Sequence, residues 1–524
     1  MSSKRFKKLL FPVLALLITL SLLAGCAGQN EEEPPAPSEP AASEGAANGA
    51  TADTPAEPAA EEPFPISMMI LTNNPETPEK DNAIQKAIEA HTNTKLNITW
   101  VPSDTYDEKT NLMMASGEMP MLMYVKSMKS SSILNAVKAG AFWEIGPHLA
   151  NYPNLSQASE GILYNASIDG KVYAVYKHSA PAQVGVTYRK DWLDQLGLTE
   201  PTTPDEYYDM MKAFKEQDPD QDGQDNTYGM IYWKEDFLAM FRIAANWFGS
   251  PNIWGEDENG NLEPDFVTEA YMAALNFMKK LYDEQLMNQD FAVVAGSKAN
   301  EMYLAGEGGS MFSSLNNPPA WEAAGKTEEG AVLDVFSTLD AGHGARARAG
   351  TGYLGVYMIP KKSVPEEADF KRVMKFLDQL NDKEVQDLLE YGVEGTHYNI
   401  EDGKAIIGDR EMLQKDLLDY KQLQLKVVSN LTPEGGLPPL REKVEALKLS
   451  NEEVAVYNLA QPFDSDTYTR QGQQLDNMRY DMMVKYIMGH IDAAGYQAEV
   501  EKWMNAGGSK VIEELNAQYQ QAKS

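Results

Sequence analysis

Cysteine is almost missing from this chain of 524 residues, and Cys26 is the only one. A single thiol permits no intramolecular disulfide and no Cys-based metal cage, and its place near the N-terminus leaves the folded part without a thiol nucleophile. Histidine is scarce too: His91, His148, His178, His343, His397 and His490 are scattered, with no His-Glu-x-x-His pair to hold a hydrolytic zinc. Positive charge is in short supply, with 45 Lys and Arg against 78 Asp and Glu and a formal net charge of -33. A surface of that sign repels nucleic acid and anionic lipid and argues against polyanionic ligands. Long apolar runs are limited to one, Leu9 to Leu23, shorter than the roughly 20 residues that span a bilayer.

That run is the first thing present. Lys4, Arg5, Lys7 and Lys8 precede it, and it ends at Leu23-Ala24-Gly25-Cys26. Small residues followed directly by cysteine form a lipobox, which predicts a leader over residues 1–26, lipidation of Cys26 and a mature N-terminus at that residue. Residues 27–63 are Ala, Pro, Glu, Ser and Gly with no Lys or Arg, a composition that builds no core. As a flexible coil this tether spans about 35 Å r.m.s., and proline and self-repulsion lengthen it. Loss of the leader's four basic residues leaves 41 Lys and Arg against the 78 acids.

The body from Phe64 to Ser524 is longer than one hydrophobic core usually organises, so at least two lobes are expected. Its start alternates strand and helix: Ile66–Leu71, a helix through Ala83–Ile88, Leu96–Val101, a helix over Tyr106–Ala115, Met121–Val125, and a helix over Ser131–Ala139. These spacings predict βαβ units on a largely parallel sheet. Ligands of such sheets sit outside the carboxyl ends of the strands, here near Thr72–Pro75, Ser103–Thr105 and Lys126–Met128.

From there the chain resembles a family. Gly170–Val175 followed by Tyr188–Leu193, Leu196-Gly197-Leu198 and Pro201-Thr202-Thr203 resembles the hinge-crossing strand and next helix of extracellular solute-binding proteins of the maltose-binding type. Ala305–Phe312, followed by Pro319 and Trp321, resembles their return strand, and Gly352–Pro360 the last crossing. Gly392–Tyr398 and Glu501–Gly508 are similar to the large oligosaccharide-binding lipoproteins near the alginate-binding proteins. The resemblance implies an α/β, two-lobed periplasmic-binding-protein-like fold with a hinge and a central cleft. It implies an N-terminal lobe over 64–186 and 306–352, and a C-terminal lobe over 187–305 and 353–524 with a helical extension. Solute binding between the lobes favours closure, and the closed form docks on the permease of an ABC importer. A monomer held on the outer face of the cytoplasmic membrane is implied.

The sharpest chemical motif is Asp218-Pro219-Asp220-Gln221-Asp222-Gly223-Gln224-Asp225-Asn226-Thr227. Alternating carboxylates with glycine sixth match the opening of an EF-hand-type loop, which puts Asp218, Asp220, Asp222, Asn226 and the Gln224 carbonyl forward as calcium ligands. The twelfth position is Gly229, so the bidentate Glu is missing. The resemblance implies a shortened loop with an acid at the tenth position, where this chain has Thr227, with Asp225 beside it as a substitute. Solvated acidic turns have the same composition. Asp257-Glu258-Asn259-Gly260-Asn261 is explained by one turn, and Ala320–Thr327 misses the first glycine of a P-loop.

No catalytic constellation stands out, and nothing requires an organic cofactor. Aromatic side chains in segments expected near the cleft suit a sugar, whose apolar face stacks on a ring while its hydroxyls seek polar partners. Tyr188, Trp233, Trp247, Trp254, Phe312, Trp321 and Tyr353 are the aromatic candidates, with Trp233, Trp247 and Trp321 preferred. Asn73, Asp104, Lys126, Glu394 and His397 are the polar ones, while Trp192 and Trp503 are assigned to packing. The function expected is capture of a carbohydrate, in particular an oligosaccharide. A tethered calcium-dependent polysaccharide lyase or hydrolase and a ligand-sensing lipoprotein are the alternatives.

Overall fold

The strand Phe64–Thr72 buries Ile66, Met68, Met69, Ile70 and Leu71, so side chains on both of its faces are covered, as a central strand in a parallel sheet requires. It pairs in parallel with Thr94–Pro102, from Phe64 opposite Thr94 to Thr72 opposite Pro102, and with Leu122–Val125 on its other side. The helices Ala83–Thr92, Tyr106–Ser116 and Ser131–Lys138 make the crossovers. The first is started by the Asn82 side chain, which accepts the Gln85 N–H at 2.9 Å, and stopped by Asn93 in the left-handed region at φ 49°. The expected βαβ units are therefore present. The strand Tyr353–Met358 is added antiparallel between Leu122–Val125 and Ala174–His178, completing a five-stranded sheet. The structure, a computed structural model, describes residues 62–73, 77–79, 82–234 and 237–523. Cys26, the leader and the tether up to residue 61 lie outside the described residues. Within 61–524, which form one compact unit, no described helix is long and apolar enough to cross a membrane.

A second hydrophobic core surrounds a three-stranded antiparallel sheet ordered Ser310–Ser314, Val184–Arg189, Leu333–Phe336. The helices Phe237–Trp247, Glu269–Asp283, Asp466–Ile487 and Ala493–Trp503 pack into it, and Trp192 and Trp503 are buried there as expected. Two cores, each with its own sheet, make a two-lobed α/β architecture.

The chain passes between the cores three times, at places that differ from the expectation. The first passage, 179–183, separates the strands Ala174–His178 and Val184–Arg189. Ser310–Ser314 does not return to the first lobe: it pairs with Val184–Arg189 in the second sheet. The return comes later, through 349–352, where Gly350 N–H bonds to Pro181 O at 2.7 Å and Ser179 N–H to Gly352 O at 2.9 Å, so the two passages run side by side. Gly352 is at φ 84°, and a Cβ there would meet Ile162 at 2.6 Å. Residues 353–427 belong to the first core, since Phe370, Leu377, Leu389, Tyr420 and Leu425 all pack within it. The final passage follows Gly435, and from Leu440 onward the chain packs against the second lobe. A short strand pattern is legible in a sequence, but not which of two cores the strand joins.

Trp247 sits at zero exposure among Tyr207, Phe312 and Phe336, with its indole N–H on Ser337 O at 3.2 Å. Trp247→Ala should therefore destabilise the fold by about 3–5 kcal/mol. Urea unfolding followed by circular dichroism measures this, and a change within error would place the ring outside the core.

Candidate functional site

Two adjoining cavities, of about 570 and 390 Å³, share Ile253, Tyr468 and Arg479. The larger is walled by Lys234, Leu238 and Arg242 at the start of one helix and by Gln473 and Asp476 on the helix Asp466–Ile487. The smaller reaches Trp254 and Phe266, and also Lys129, which follows a strand of the first sheet. Lys129 Nζ lies 3.1 Å from Phe463 O and 3.2 Å from Asp464 Oδ1, so this groove is bounded by both lobes. Its size is that of a small-molecule site.

Behind the groove lies Asp265, with no exposed surface. Its Oδ2 accepts Arg242 Nε at 2.5 Å and Ile253 N–H at 3.3 Å, and its Oδ1 faces Arg479 Nη2 at 3.4 Å. Arg242 also donates to Leu238 O at 3.1 Å. Arg479 is held more loosely: the other carboxylate it meets is Asp476, with Oδ1 at 3.5 Å, and its Nε is buried without a hydrogen-bond partner among the described residues. Burial, the largest single influence, would lower the Arg479 pKa, but Asp265, Tyr271, Asp476 and Tyr468 together outweigh it and the net shift is upward. Asp476 is engaged from the other side by the Tyr468 hydroxyl at 2.8 Å. Burial, and then the Asp476 charge, push the Tyr468 phenol up to about 12.

Ile253 lies at φ 68°, unusual for a β-branched residue and a sign of backbone held by its surroundings. Asp265 N–H on Ile253 O at 2.8 Å and Ile253 N–H on the Asp265 carboxylate supply that hold. The consequence is to aim Trp254, half-buried, and the neighbouring Tyr468, 43% exposed, at one groove. Two partly open rings beside two guanidiniums can stack a flat apolar face and donate hydrogen bonds at once.

Of the expected ligand contacts, only Trp254 lines this groove. Tyr188, Trp247 and Phe312 have zero exposure in the second core, and Tyr188 spends its hydroxyl on Glu200 at 2.8 Å. They present no ring face to a ligand, because the strands and helix that carry them point these positions inward. Trp233 and Trp321 are 8% and 9% exposed and pack with Ile231, Tyr303 and Met311. His397 is buried, its Nδ1 accepting Val393 N–H at 2.9 Å and its Nε2 facing Asp416 at 3.2 Å, a structural role. Glu394 is exposed beside it. Asn73, Asp104 and Lys126 follow adjacent strand ends: Asn73 N–H bonds to Asp419 at 3.2 Å, Asp104 is exposed, and Lys126 is drawn to Asp107 at 2.9 Å and Ser103 O at 3.0 Å. Tyr353 is half-buried, and burial pushes its phenol up to about 12. Lys129, Arg242, Asp265, Tyr468 and Arg479 were missed by sequence reasoning. Arg242 did carry a signal, as the only charge in the apolar helix Phe237–Trp247, because a buried charge must find a partner.

A model of the family of bacterial extracellular solute-binding proteins matches residues 74–387. The chain belongs to that family. It is 39% identical over 471 residues to lipoprotein LipO of Bacillus subtilis strain 168, covering 87% of this chain and 93% of LipO. It is 34% identical over 448 residues to the polygalacturonan/rhamnogalacturonan-binding protein YtcQ of the same strain, covering 85% of this chain and 89% of YtcQ. The fold also matches an HMO-binding, ABC-transporter-associated solute-binding protein from Bifidobacterium longum infantis, with a TM-score of 0.63 and 16% identity, over 88% of this chain and 99% of that one.

The acidic loop lies apart from the groove. Asp218, Asp220 and Asp222 offer carboxylate oxygens all within 4.8 Å of one another. Asp218 accepts Gly223 N–H at 3.2 Å, and Asp222 accepts Gln224 N–H at 2.7 Å and the Asn226 amide at 2.8 Å, which folds the loop back on itself. Burial, and then the neighbouring Asp222 charge, raise the Asp220 pKa. Converging hard oxygen donors fit a calcium ion. Thr227, at the tenth position, is buried and donates to Phe214 O at 2.8 Å, while Asp225 points to Lys215 at 2.5 Å, so the extra acid is not supplied from either place. The second acidic stretch is a turn, with Asp257 accepting Asn259 and Asn261 N–H, each at 2.8 Å.

Asp265→Asn should destabilise the protein by about 3–5 kcal/mol, since it leaves two buried guanidiniums without their shared counter-charge. Asp265→Asn combined with Arg479→Met should recover part of that loss. A single variant as stable as wild type in a urea melt would show the cluster to be electrostatically idle.

Proposed function

We propose that this solute-binding protein captures a carbohydrate, in particular an oligosaccharide, in the groove between its lobes and hands it to an ABC importer. The observation that carries the reading is the pairing of partly open rings, Trp254 and Tyr468, with cationic donors contributed by both lobes, Lys129 from one and Arg242 and Arg479 from the other. A pyranose needs this combination of a flat apolar surface and convergent polar groups. The glycan-binding names of YtcQ and the Bifidobacterium protein support it. Contacts from both sides favour the closed arrangement, with the side-by-side passages at 179–183 and 349–352 as the hinge.

In the same reading the protein is a monomeric receptor that releases its ligand unchanged and binds no nucleic acid. Cys26 carries a lipid that anchors it on the outer face of the cytoplasmic membrane, with the tether holding the lobes away. A calcium ion held by Asp218, Asp220, Asp222, Asn226 and the Gln224 carbonyl stiffens the loop and plays no part in ligand chemistry.

Calorimetric titration of the full chain with neutral and acidic oligosaccharides and peptides tests the capture reading. A glycan should bind and be recovered intact by mass spectrometry, and Trp254→Ala should weaken it about tenfold. Shortened or unsaturated products would mean an enzyme, and selective binding of peptides would remove the carbohydrate. Calcium should raise the melting temperature by stabilising only the folded state. Asp220→Asn should abolish that rise, and an equal rise in the variant would exclude this loop as the site.

A further inference from the structure

Among the described residues, the charge of the groove is opposite in bias to that of the chain. Its lining carries Lys129, Lys234, Arg242 and Arg479 against Asp464 and Asp476. Among the described residues, the buried Asp265 behind it still leaves one positive charge in excess, in a protein whose formal net charge is -33. Glu235 and Asp236, next to Lys234, lie outside the described residues.

Within this cluster the two arginines differ. Arg242 is satisfied at short range by Asp265 and Leu238 O. Arg479 has five N–H donors, yet its bonds to carboxylates are two long ones, at 3.4 and 3.5 Å, and its buried Nε–H has no partner among the described residues. A guanidinium taken out of water and left short of acceptors is costly, and an arriving acceptor relieves that cost. Arg479 lines both cavities, so such an acceptor enters from the groove. Asp476 competes for Arg479, but the Tyr468 hydroxyl already gives that carboxylate a donor at 2.8 Å.

We infer that the groove selects sugars bearing a carboxylate, with Arg479 as the specificity residue and Lys234 and Lys129 as flanking cations. This rests on the carbohydrate reading above and names its substrate class. A planar guanidinium and a planar carboxylate match in a two-bond fork, which a neutral hydroxymethyl group in the same place cannot form. The acidic exterior does not oppose this at short range. Exposed charges more than about 8 Å away are screened at physiological salt, whereas the arginine acts in contact with the ligand.

The test titrates the full chain with trigalacturonate, its fully methyl-esterified form and galactotriose. The acid should bind about tenfold more tightly than the ester, a preference that shrinks as salt is raised. Arg479→Gln should remove most of that preference, leaving only the part that the flanking lysines supply. Lys234→Gln, at an exposed position at the groove mouth, should reduce the preference and is the deciding variant if Arg479→Gln does not fold. Equal or tighter binding of the ester by wild type, or an undiminished preference in folded Arg479→Gln, would overturn the inference while leaving carbohydrate capture standing. Failure of all three glycans, with a peptide bound instead, would remove both.

Discussion

One carboxylate with no contact with water organises the second lobe's side of the groove. Asp265 gathers the helix that carries Arg242, the strained turn at Ile253, its own short helical turn and the long helix that carries Arg479. Burying this many charges is not a route to high stability, because apolar side chains of equal volume would do as well or better. What the cluster supplies is position. It fixes where two guanidiniums stand and holds Trp254 next to them, and a binding site gains more from such preorganisation than from a few extra contacts.

The same cluster shows why net charge is a poor guide to a ligand. The excess of acids spreads over the surface of two lobes, where it promotes solubility and discourages association. A ligand between the lobes responds instead to the few charges within a Debye length. Lys129, Arg242 and Arg479 come from positions more than a hundred residues apart at the extremes, so their meeting leaves no trace in composition.

The hinge and the acidic loop mark two kinds of legibility. The loop is local: Asp218, Asp220 and Asp222 are close because alternate residues around Gly223, at φ 75°, have little freedom to be elsewhere. The hinge is not. Its two paired passages are separated by about 170 residues, and the pairing of Gly350 with Pro181 joins segments with no shared motif. Ser310–Ser314 and Tyr353–Met358 are largely buried strands of similar length, and each joined the sheet opposite to the one expected.

The sequence by itself determined what depends on neighbours along the chain: the opening βαβ units from Phe64 to Lys138, the acidic loop, and the burial of Trp192 and Trp503. Periodicity and spacing act over one turn or one pleat, so these features can be read in order. Only the tertiary structure decided which aromatic residues are open. Trp247 and Trp254 are seven residues apart with the same side chain, yet one fills the core and the other faces the groove. The difference comes from a turn held by Asp265, and from a helix more than two hundred residues away that supplies Tyr468 and Arg479. Such an arrangement is fixed by packing and charge pairing across the fold, which no local pattern encodes.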